Sequence, residues 1–281
     1  MLNYACGNQY IALSGNRTLH LELVSEERAR HSQHSLYLLY HELRPLRSEY
    51  SYVCETAQFE RHIDYFFQVR NEESRGLWPE VTFDDGHISN YEFALPALQS
   101  RGLVARFFIT VGWTGKKPGF MGWRELRSMH ESGQLIGAHG WSHALLTNCT
   151  QEDLDNELSR SRSMLEDKLG TSITTMSLPG GRYNHTVLEA CRRAGYTQVF
   201  TSVPRAERVP PGFLVGRLNI RDDVTLVRLR KLLGPGNRTL ARLERQYRIK
   251  AAAKTFMGDR LYEKFWALLN KREPDSDEDG D

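Results

Sequence analysis

The sequence lacks a long apolar run, a paired-cysteine motif and a strong net charge. No apolar stretch approaches the length that a membrane-spanning helix requires. The four cysteines are widely scattered without a C-x-x-C pair, so neither a zinc knuckle nor a disulfide framework is expected. Residues 1–16 do not combine a basic segment with an apolar one, as a secretory signal would. A formal charge of +2 over 281 residues does not indicate a nucleic-acid-binding protein. We therefore expect a cytoplasmic globular protein.

Charge is uneven near the C-terminal end. Residues 221–272 contain 14 Lys and Arg against 5 Asp and Glu, and their leucines recur at helical spacing. Basic amphipathic helices are expected there, either packed as a solvated extension or offering a surface to an anionic glycan, a membrane or a partner. Residues 273–281 contain six acids and no base, which predicts a disordered tail. The predicted organisation is an N-terminal segment over 1–35, one domain over 36–220, the basic extension and the tail.

Strand-like and helix-like segments alternate between these ends. Predicted strands cover 18–24, 35–40, a run ending at 83, 103–111, 135–139, 173–178, 196–202 and 214–220. Predicted helices begin at 56 and cover 89–101, 122–132, 150–169 and 184–194, whereas 46–55 are expected to form a loop. Such alternation is typical of an α/β fold with a parallel sheet and helices outside it, either open or closed as a barrel.

Two adjacent acids follow the strand that ends at Phe83. Asp84 and Asp85 precede Gly86, which permits a sharp turn before the next helix. Acids at the carboxyl end of a strand lie where α/β folds place their chemistry. Because adjacent residues of an extended chain point to opposite sides, one acid can hold a metal while the other moves a proton. The alternative interpretation is a polar turn, since Asp-Gly pairs are common in turns.

Two histidines follow another predicted strand. His139 and His143 are four residues apart and can converge on one ion if the backbone between them makes a helical turn. With Asp85 they offer three ligands and leave coordination positions open, as catalytic metal sites do. Imidazole and carboxylate suit zinc and similar divalent metals. The alternative is a pair of histidines on a polar loop.

Together these motifs resemble those of the polysaccharide deacetylases of carbohydrate esterase family four. The segment T-F-D-D-G over 82–86 and the later H-x-x-x-H pair occur in the family's order, and residues 177–184 resemble its third motif. The resemblance covers roughly residues 36–220. Residues 38–41, Leu-Leu-Tyr-His, resemble the permuted poly-N-acetylglucosamine deacetylases, in which the strand that carries the general acid comes first.

The resemblance implies a distorted (β/α) barrel with fewer strand–helix units than an eightfold one. It implies metal-dependent removal of N-acetyl groups from the amino sugars of a polysaccharide or its precursor. Asp84 would be the general base, and a divalent metal, with zinc as the first choice, would be held by Asp85, His139 and His143. A lipid-linked precursor at the inner membrane face would bring the basic C-terminal helices near anionic lipid.

The general acid has two candidates in this sequence. The chain has no late Leu-x-His motif, because its last histidine precedes residue 186. On the permuted arrangement the acid is His41, at the end of the strand over 35–40. His87, beside the acid pair, is the competing candidate.

The sequence departs from the family in two further places. Gly140 stands where the family has Ser or Thr, so the loop between the histidines loses a side-chain hydrogen bond. Ser177 stands where the family has the Arg that orients the base, and Arg182 or Arg217 could take over that role. Substrate contacts are expected from three residues near the motifs: Arg182, Tyr183 and Trp141.

Two other functions are compatible with parts of this pattern. Two His and one carboxylate can also hold the iron of a non-haem oxygenase, although that site usually occurs in an all-β double sheet. A catalytically inactive carbohydrate-binding relative would keep the fold, but it would not need a base and three ligands together. The leading hypothesis is therefore a metal-dependent N-deacetylase.

Overall fold

The computed structural model describes residues 34–71, 76–236 and 238–257. The strands are β1 His34–Tyr40, β2 Glu42–Arg44, β3 Val53–Glu55, β4 Trp78–Phe83, β5 Arg106–Ile109, β6 Leu135–Ala138, β7 Thr175–Ser177, β8 Gln198–Phe200, β9 Glu207–Arg208, β10 Leu214–Val215 and β11 Arg217–Asn219. The helices are α1 Thr56–Asn71, α2 Leu95–Gln99, α3 Trp123–Glu131, α4 Gln151–Asp155, α5 Ser161–Leu169, α6 His185–Arg193, α7 Leu226–Leu233 and α8 Arg238–Met257. The expected strand over 18–24 and the acidic tail lie outside the described residues.

The main sheet is a nearly closed barrel. Its strands lie in the order β10-β8-β7-β6-β5-β4-β1-β11, and all these neighbours are parallel. β9 adds an antiparallel pair to β1, so the sheet is mixed. The two outermost strands, β10 and β11, are consecutive in the chain and separated only by Gly216. The first described strand therefore lies beside the last one, as the permuted arrangement requires.

The segment over 214–220 was expected to form one strand, and this prediction was wrong in detail. The strand is interrupted at Gly216, where the pairing changes: β10 pairs with β8, whereas β11 pairs with β1 at the other edge of the sheet. A Cβ at Gly216 would lie 2.5 Å from the carbonyl oxygen of Val203, and the Gly216 N–H donates to Glu207 Oε1 at 2.6 Å. The close backbone approach explains why glycine occupies the interruption between the two strands.

The predicted loop over 46–55 was also partly wrong. Val53–Glu55 forms β3, which pairs in parallel with β2 in a separate two-stranded sheet. The other strands and helices predicted within the described residues are present, and most are shortened by one to three residues at their ends. The helix predicted over 89–101 begins with a widened turn, Asn90–Ala94, before α2, and that predicted over 150–169 contains another between α4 and α5.

Alternate residues of β1 divide the core into two parts. Leu36, Leu38 and Tyr40 pack with residues of the surrounding helices, and the Tyr40 ring lies 5.2 Å from that of Phe59 in α1. Tyr37 faces the other way and joins a small cluster inside the barrel, completed by Phe108, Phe200 and Val215. This alternation is what a strand buried on both faces requires.

The basic extension contributes two helices to the described part. α7 buries Leu229, Leu232 and Leu233, and the carbonyl of Leu233 accepts the N–H of Leu77 at 2.8 Å. α8 follows it and buries Leu240. Among the described residues, no helix combines the length and the apolarity that crossing a bilayer would need.

Candidate active site

The parallel register brings chemically active side chains to one end of the barrel. β1 and β4 are aligned so that Tyr40 pairs with Phe83, which places His41 and Asp84 side by side beyond the strand ends. His139 follows β6 in the same way. A cavity of about 620 Å³ opens there, and it is lined by His41, Asp84, Asp85, His139 and His143 among others. The carboxyl end of the strands is where such barrels place their chemistry.

The three predicted metal ligands converge in this cavity. Nε2 of His139 and Nε2 of His143 each lie 3.3 Å from Oδ1 of Asp85, and the three ligand atoms lie within 4.8 Å of one another. Oδ1 is buried and has no hydrogen-bond partner of good geometry, although both imidazoles are close. Nδ1 of His139 lies 2.8 Å from the carbonyl oxygen of Ser177, which can only accept. The neutral imidazole then directs its Nε2 lone pair to the cluster, so the donor set fits a divalent metal.

The ligands converge without the helical turn that the spacing suggested. Asp85 and His143 have φ angles of 73° and 66°, and Gly140 has a φ angle of 76°. A left-handed backbone is uncommon for residues other than glycine and costs about 1–3 kcal/mol at each such position. A helical turn was one way in which the two histidines could converge, and the structure uses left-handed backbone at Gly140 and His143 instead.

Glu157 supports the loop that carries both histidines. Oε2 of Glu157 accepts the N–H of Trp141 at 2.7 Å and that of Ser142 at 3.0 Å, while Oε1 accepts the Ser142 hydroxyl at 2.5 Å. A Cβ at Gly140 would lie 2.9 Å from this carboxylate. The absence of Ser or Thr at position 140 therefore leaves room for Glu157, which lies in a widened helical turn, Asn156–Arg160, between α4 and α5. Sequence reasoning missed this residue.

Asp84 is held by Arg217. Nη1 of Arg217 donates to Oδ1 of Asp84 at 2.7 Å and Nη2 donates to Oδ2 at 2.8 Å, while both side chains are almost completely buried. The Ser177 hydroxyl donates to Oδ2 at 2.9 Å and accepts from Nη2 at 2.7 Å. Of the two arginines proposed from the sequence, Arg217 makes this contact. Ser177 and Arg217 together occupy the place that the family's third-motif Arg was expected to fill.

Both acids are ionised at neutral pH. Burial raises the pKa of Asp84, but the charges of Arg217 and His139 outweigh it and hold that pKa below its usual range. Burial also raises the pKa of Asp85, and the contacts with the two imidazoles bring it well below the usual value. Although burial lowers the pKa of His139, the two carboxylates raise it overall. The same carboxylates would favour a cation at the centre of the cluster.

His41 and His87, the two candidates for the general acid, lie in different surroundings. His41 lines the cavity, its Nδ1 is buried without a hydrogen-bond partner, and its ring lies 5.2 Å from that of Tyr52. Burial lowers its pKa, against the charges of Asp84 and Asp85. His87 does not line the cavity. Its Nδ1 lies 2.8 Å from the Ser89 hydroxyl and its Nε2 lies 3.7 Å from Glu42.

The three predicted substrate contacts lie outside the cavity lining. The Trp141 ring is covered by the guanidinium of Arg160, 3.7 Å from its centroid. Tyr183 is 38% exposed. Burial raises the pKa of Tyr247 in α8, and of the two predicted contacts near it Tyr183 raises that pKa further while Arg182 lowers it. Their part in substrate binding stays a prediction.

Comparison with known proteins identifies the class that this fold and site define. Residues 79–199 match the sequence model of the polysaccharide deacetylase family, so the chain carries a domain of this family. It is 30% identical to YxkH of Bacillus subtilis over 126 residues, 45% of each protein. It is 32% identical to the peptidoglycan-N-acetylglucosamine deacetylase PgdA of Listeria monocytogenes over 110 residues, 39% of this chain and 22% of that one. These matches span less than half the length of either relative.

A solved structure extends the likeness beyond that segment. IcaB from Ammonifex degensii superposes with a TM-score of 0.61 at 26% identity and covers 72% of this chain and 98% of its own. The distorted (β/α) barrel predicted from the family resemblance is thus confirmed, and so is the resemblance to the permuted type.

Proposed function

We propose that this protein is a metal-dependent hydrolase that removes N-acetyl groups from amino sugars of a polysaccharide or its precursor, with zinc as the metal. One observation carries the proposal. In a single cavity, an Asp85–His139–His143 cluster suited to a divalent cation lies beside a second carboxylate, Asp84, that Arg217 keeps ionised. A binding module would need neither the ionised base nor the three ligands.

Asp84 is proposed as the general base. Its carboxylate has about four lone-pair sites, and three contacts from Arg217 and Ser177 leave capacity for one proton donor from the cavity side. A divalent metal, when bound, would act as a Lewis acid on the acetamido carbonyl and lower the pKa of a coordinated water. Asp84 takes the proton from the attacking water, and Arg217 fixes the orientation of the carboxylate while it does so.

His41 is proposed as the general acid. It lines the same cavity as Asp84 and follows the neighbouring strand end, so it lies beside the proposed base. After attack, the nitrogen of the acetamido group must gain a proton before it can leave as an amine. A protonated His41 would supply that proton.

The substrate class rests on the relatives. PgdA is by name a deacetylase of peptidoglycan N-acetylglucosamine, which supports an N-acetylated amino sugar as the reacting unit. The resemblance of residues 38–41 to the permuted poly-N-acetylglucosamine deacetylases supports an exopolysaccharide as an alternative polymer. Peripheral contact of the basic helices with a membrane stays a prediction.

Acetate release tests the proposal. We expect metal-stripped protein to be inactive and protein reconstituted with zinc or cobalt to release acetate from N-acetylglucosamine oligomers or a related surface glycan. If metal binds stoichiometrically and no acetate appears from a broad glycan panel, the inactive carbohydrate-binding alternative is preferred. The oxygenase alternative is disfavoured by the α/β barrel, because that site is expected in an all-β double sheet.

A further inference from the structure

We propose that Trp113 is a positioning residue for the metal-ligating cluster. Its indole stacks on the imidazole of His143 and fixes the plane of that ring, a task that a hydrogen bond usually performs for a histidine ligand. The inference rests on the metal-binding part of the proposed function. It adds a residue that lies outside the sequence motifs of the family resemblance and outside the cavity lining.

The two metal-ligating histidines are fixed to different degrees. The His139 side chain is 2% exposed, and its Nδ1 lies 2.8 Å from the carbonyl oxygen of Ser177. The His143 side chain is 34% exposed, and no atom of the described residues forms a hydrogen bond with its Nδ1. A histidine ligand usually has such a partner, which sets the orientation of its ring. The orientation of the His143 imidazole therefore depends on its ring contacts.

Trp113 makes the stacked contact with His143. The centroids of the two rings lie 5.2 Å apart, and their planes differ by 27°. The other ring beside His143 is that of His139, which approaches edge-on at an interplanar angle of 62°. Because the lone pair of Nε2 lies in the plane of the imidazole, fixing that plane keeps the lone pair directed at the cluster, where Nε2 lies 3.3 Å from Oδ1 of Asp85.

The indole is itself held by its own loop. Nζ of Lys117 lies over the Trp113 ring, 3.4 Å from its centroid, and the Phe120 ring meets it edge-on with the centroids 4.7 Å apart. The Lys117 N–H donates to the Trp113 carbonyl at 3.0 Å, which closes the turn between them. Trp113 is thus a fixed surface against which the imidazole can rest.

Backbone hydrogen bonds join the turn that carries Trp113 to the loop that carries the histidines. The N–H of Val111 donates to the carbonyl of Gly140 at 3.1 Å, and that of Gly112 donates to the carbonyl of Trp141 at 2.8 Å. A Cβ at Gly112 would lie 2.4 Å from the Trp141 oxygen, so this close approach requires glycine. The indole and the imidazole are therefore held in register by the backbone as well as by stacking.

Zinc affinity, measured by chelator competition, tests the role of the stack. We expect Trp113→Leu to weaken zinc binding about tenfold, whereas Trp113→Phe, which keeps an aromatic face, should stay within about threefold of wild type. Trp123→Leu is the matched control, because it removes another half-buried indole whose ring contacts neither His139 nor His143. This control should bind zinc as wild type does.

Proton NMR of the metal-free protein tests the contact itself. A stacked indole shields the imidazole C–H protons of His143 and shifts their resonances upfield, and loss of these resonances in His143→Ala identifies them. The upfield shift should vanish in Trp113→Leu, shrink in Trp113→Phe and remain in Trp123→Leu. If Trp113→Leu does not fold, Trp113→Phe decides the question: wild-type zinc affinity without any shielding of the imidazole would overturn the inference.

Other outcomes separate this inference from the proposed function. Wild-type zinc affinity in folded Trp113→Leu would overturn it, and so would a raised KM for the oligosaccharide with zinc affinity unchanged, since Trp113 would then be a sugar contact. If the zinc affinities change as expected but no glycan releases acetate, the deacetylase proposal fails while the role of Trp113 stands. If wild type binds neither zinc nor cobalt, both proposals fail.

Discussion

The segment that matches the family and the two segments that flank it contribute differently to the candidate site. Residues 79–199 supply Asp84, Asp85, His139 and His143, each on a loop directly after a strand. The flanks supply His41 from the end of β1 and Arg217 from the start of β11. The central segment thus holds the proposed base and metal ligands, and the flanks hold the group that fixes the base and the proposed acid.

The difference lies in what brings each set into place. The central residues occur in short motifs, and the local turn in each motif orients the side chain toward the site. The flanking residues reach the site only because the barrel nearly closes, with β1 between β4 and β11. Variants of the two sets should therefore fail in different ways, and the following experiments test that expectation from the largest effect to the smallest.

Asp84→Asn should nearly abolish turnover while the protein still binds its metal. The amide cannot accept the proton of water, and general base catalysis is worth about 10²–10⁴-fold. Acetate release would be measured together with metal content after dialysis. Loss of the metal in this variant, with metal retained in Asp85→Asn, would show that the roles of the two acids are reversed.

Arg217→Gln should lower both activity and stability, because it leaves the Asp84 carboxylate buried without its main counter-charge. Breaking a buried pair costs about 3–5 kcal/mol in the free energy of unfolding. Without the Arg217 charge, less opposes the effect of burial, so the pKa of Asp84 should rise. The acid limb of the pH profile of kcat/KM should then move to higher pH.

Arg217→Lys separates the electrostatic part of this effect from the geometric part. It keeps the charge but not the paired contact with Asp84. We therefore expect a free energy of unfolding between those of wild type and Arg217→Gln, and little movement of the acid limb of the pH profile of kcat/KM. An unchanged acid limb in folded Arg217→Gln would contradict the assignment of Arg217 to the base.

His41→Ala should reduce turnover about 100-fold with metal affinity unchanged, because it removes only the proposed proton donor. His87→Ala is the matched control and should have a small effect, since His87 lies outside the cavity lining. If His87→Ala abolishes activity while His41→Ala does not, the permuted arrangement does not supply the acid.

The part of the site that could be predicted from the sequence is the part that local motifs determine. The strand before Asp84 and the positions of Asp85 and His139 follow from the alternation of segments and from the turn residues. Arg217 could only be one of two candidates, because its contact depends on how the segment over 214–220 joins the two edges of the sheet, with β10 beside β8 and β11 beside β1. No residue pattern over 214–220 indicates that change of pairing at Gly216.

Glu157 was missed for a different reason. It lies in a segment predicted as an amphipathic helix, where an acidic residue is expected to face solvent. The widened turn and the loop packed on it bury the carboxylate instead. His143 was identified, but its conformation was not, because the left-handed backbone of a non-glycine residue is imposed by contacts from elsewhere in the fold.

Glu157→Gln should lower metal affinity about 10-fold to 100-fold without unfolding the protein. The amide can keep only part of the accepting contacts to Trp141 and Ser142, so the loop that carries His139 and His143 becomes less well fixed. Chelator competition would measure the affinity, and Glu152→Gln, an exposed acid of α4, is the control. Unchanged metal affinity in Glu157→Gln would assign the carboxylate to fold stability alone.

The smallest effect concerns the attachment of the N-terminal flank. The Tyr40 hydroxyl, one residue before His41, lies 3.0 Å from Nδ1 of His62 in α1, and the His62 side chain is fully buried. Burial lowers the pKa of His62 to about 4. At low pH the unfolded chain protonates His62 more readily than the folded chain does. The stability that comes from keeping His62 neutral is therefore complete above about pH 6.5 and is lost as the pH falls toward 4.

That loss should reach up to about 3 kcal/mol in the free energy of unfolding, measured by denaturant titration across this pH range. His62→Gln should be less stable at neutral pH but should show a flatter decline, since the carboxylates that also titrate there are common to both proteins. Tyr40→Phe, which removes the hydroxyl but keeps the imidazole, should retain the decline. If the free energy of unfolding declines with pH equally in wild type and in His62→Gln, a neutral His62 does not hold the flank. The position of the N-terminal strand would then depend on its pairing with β4 and β11 alone.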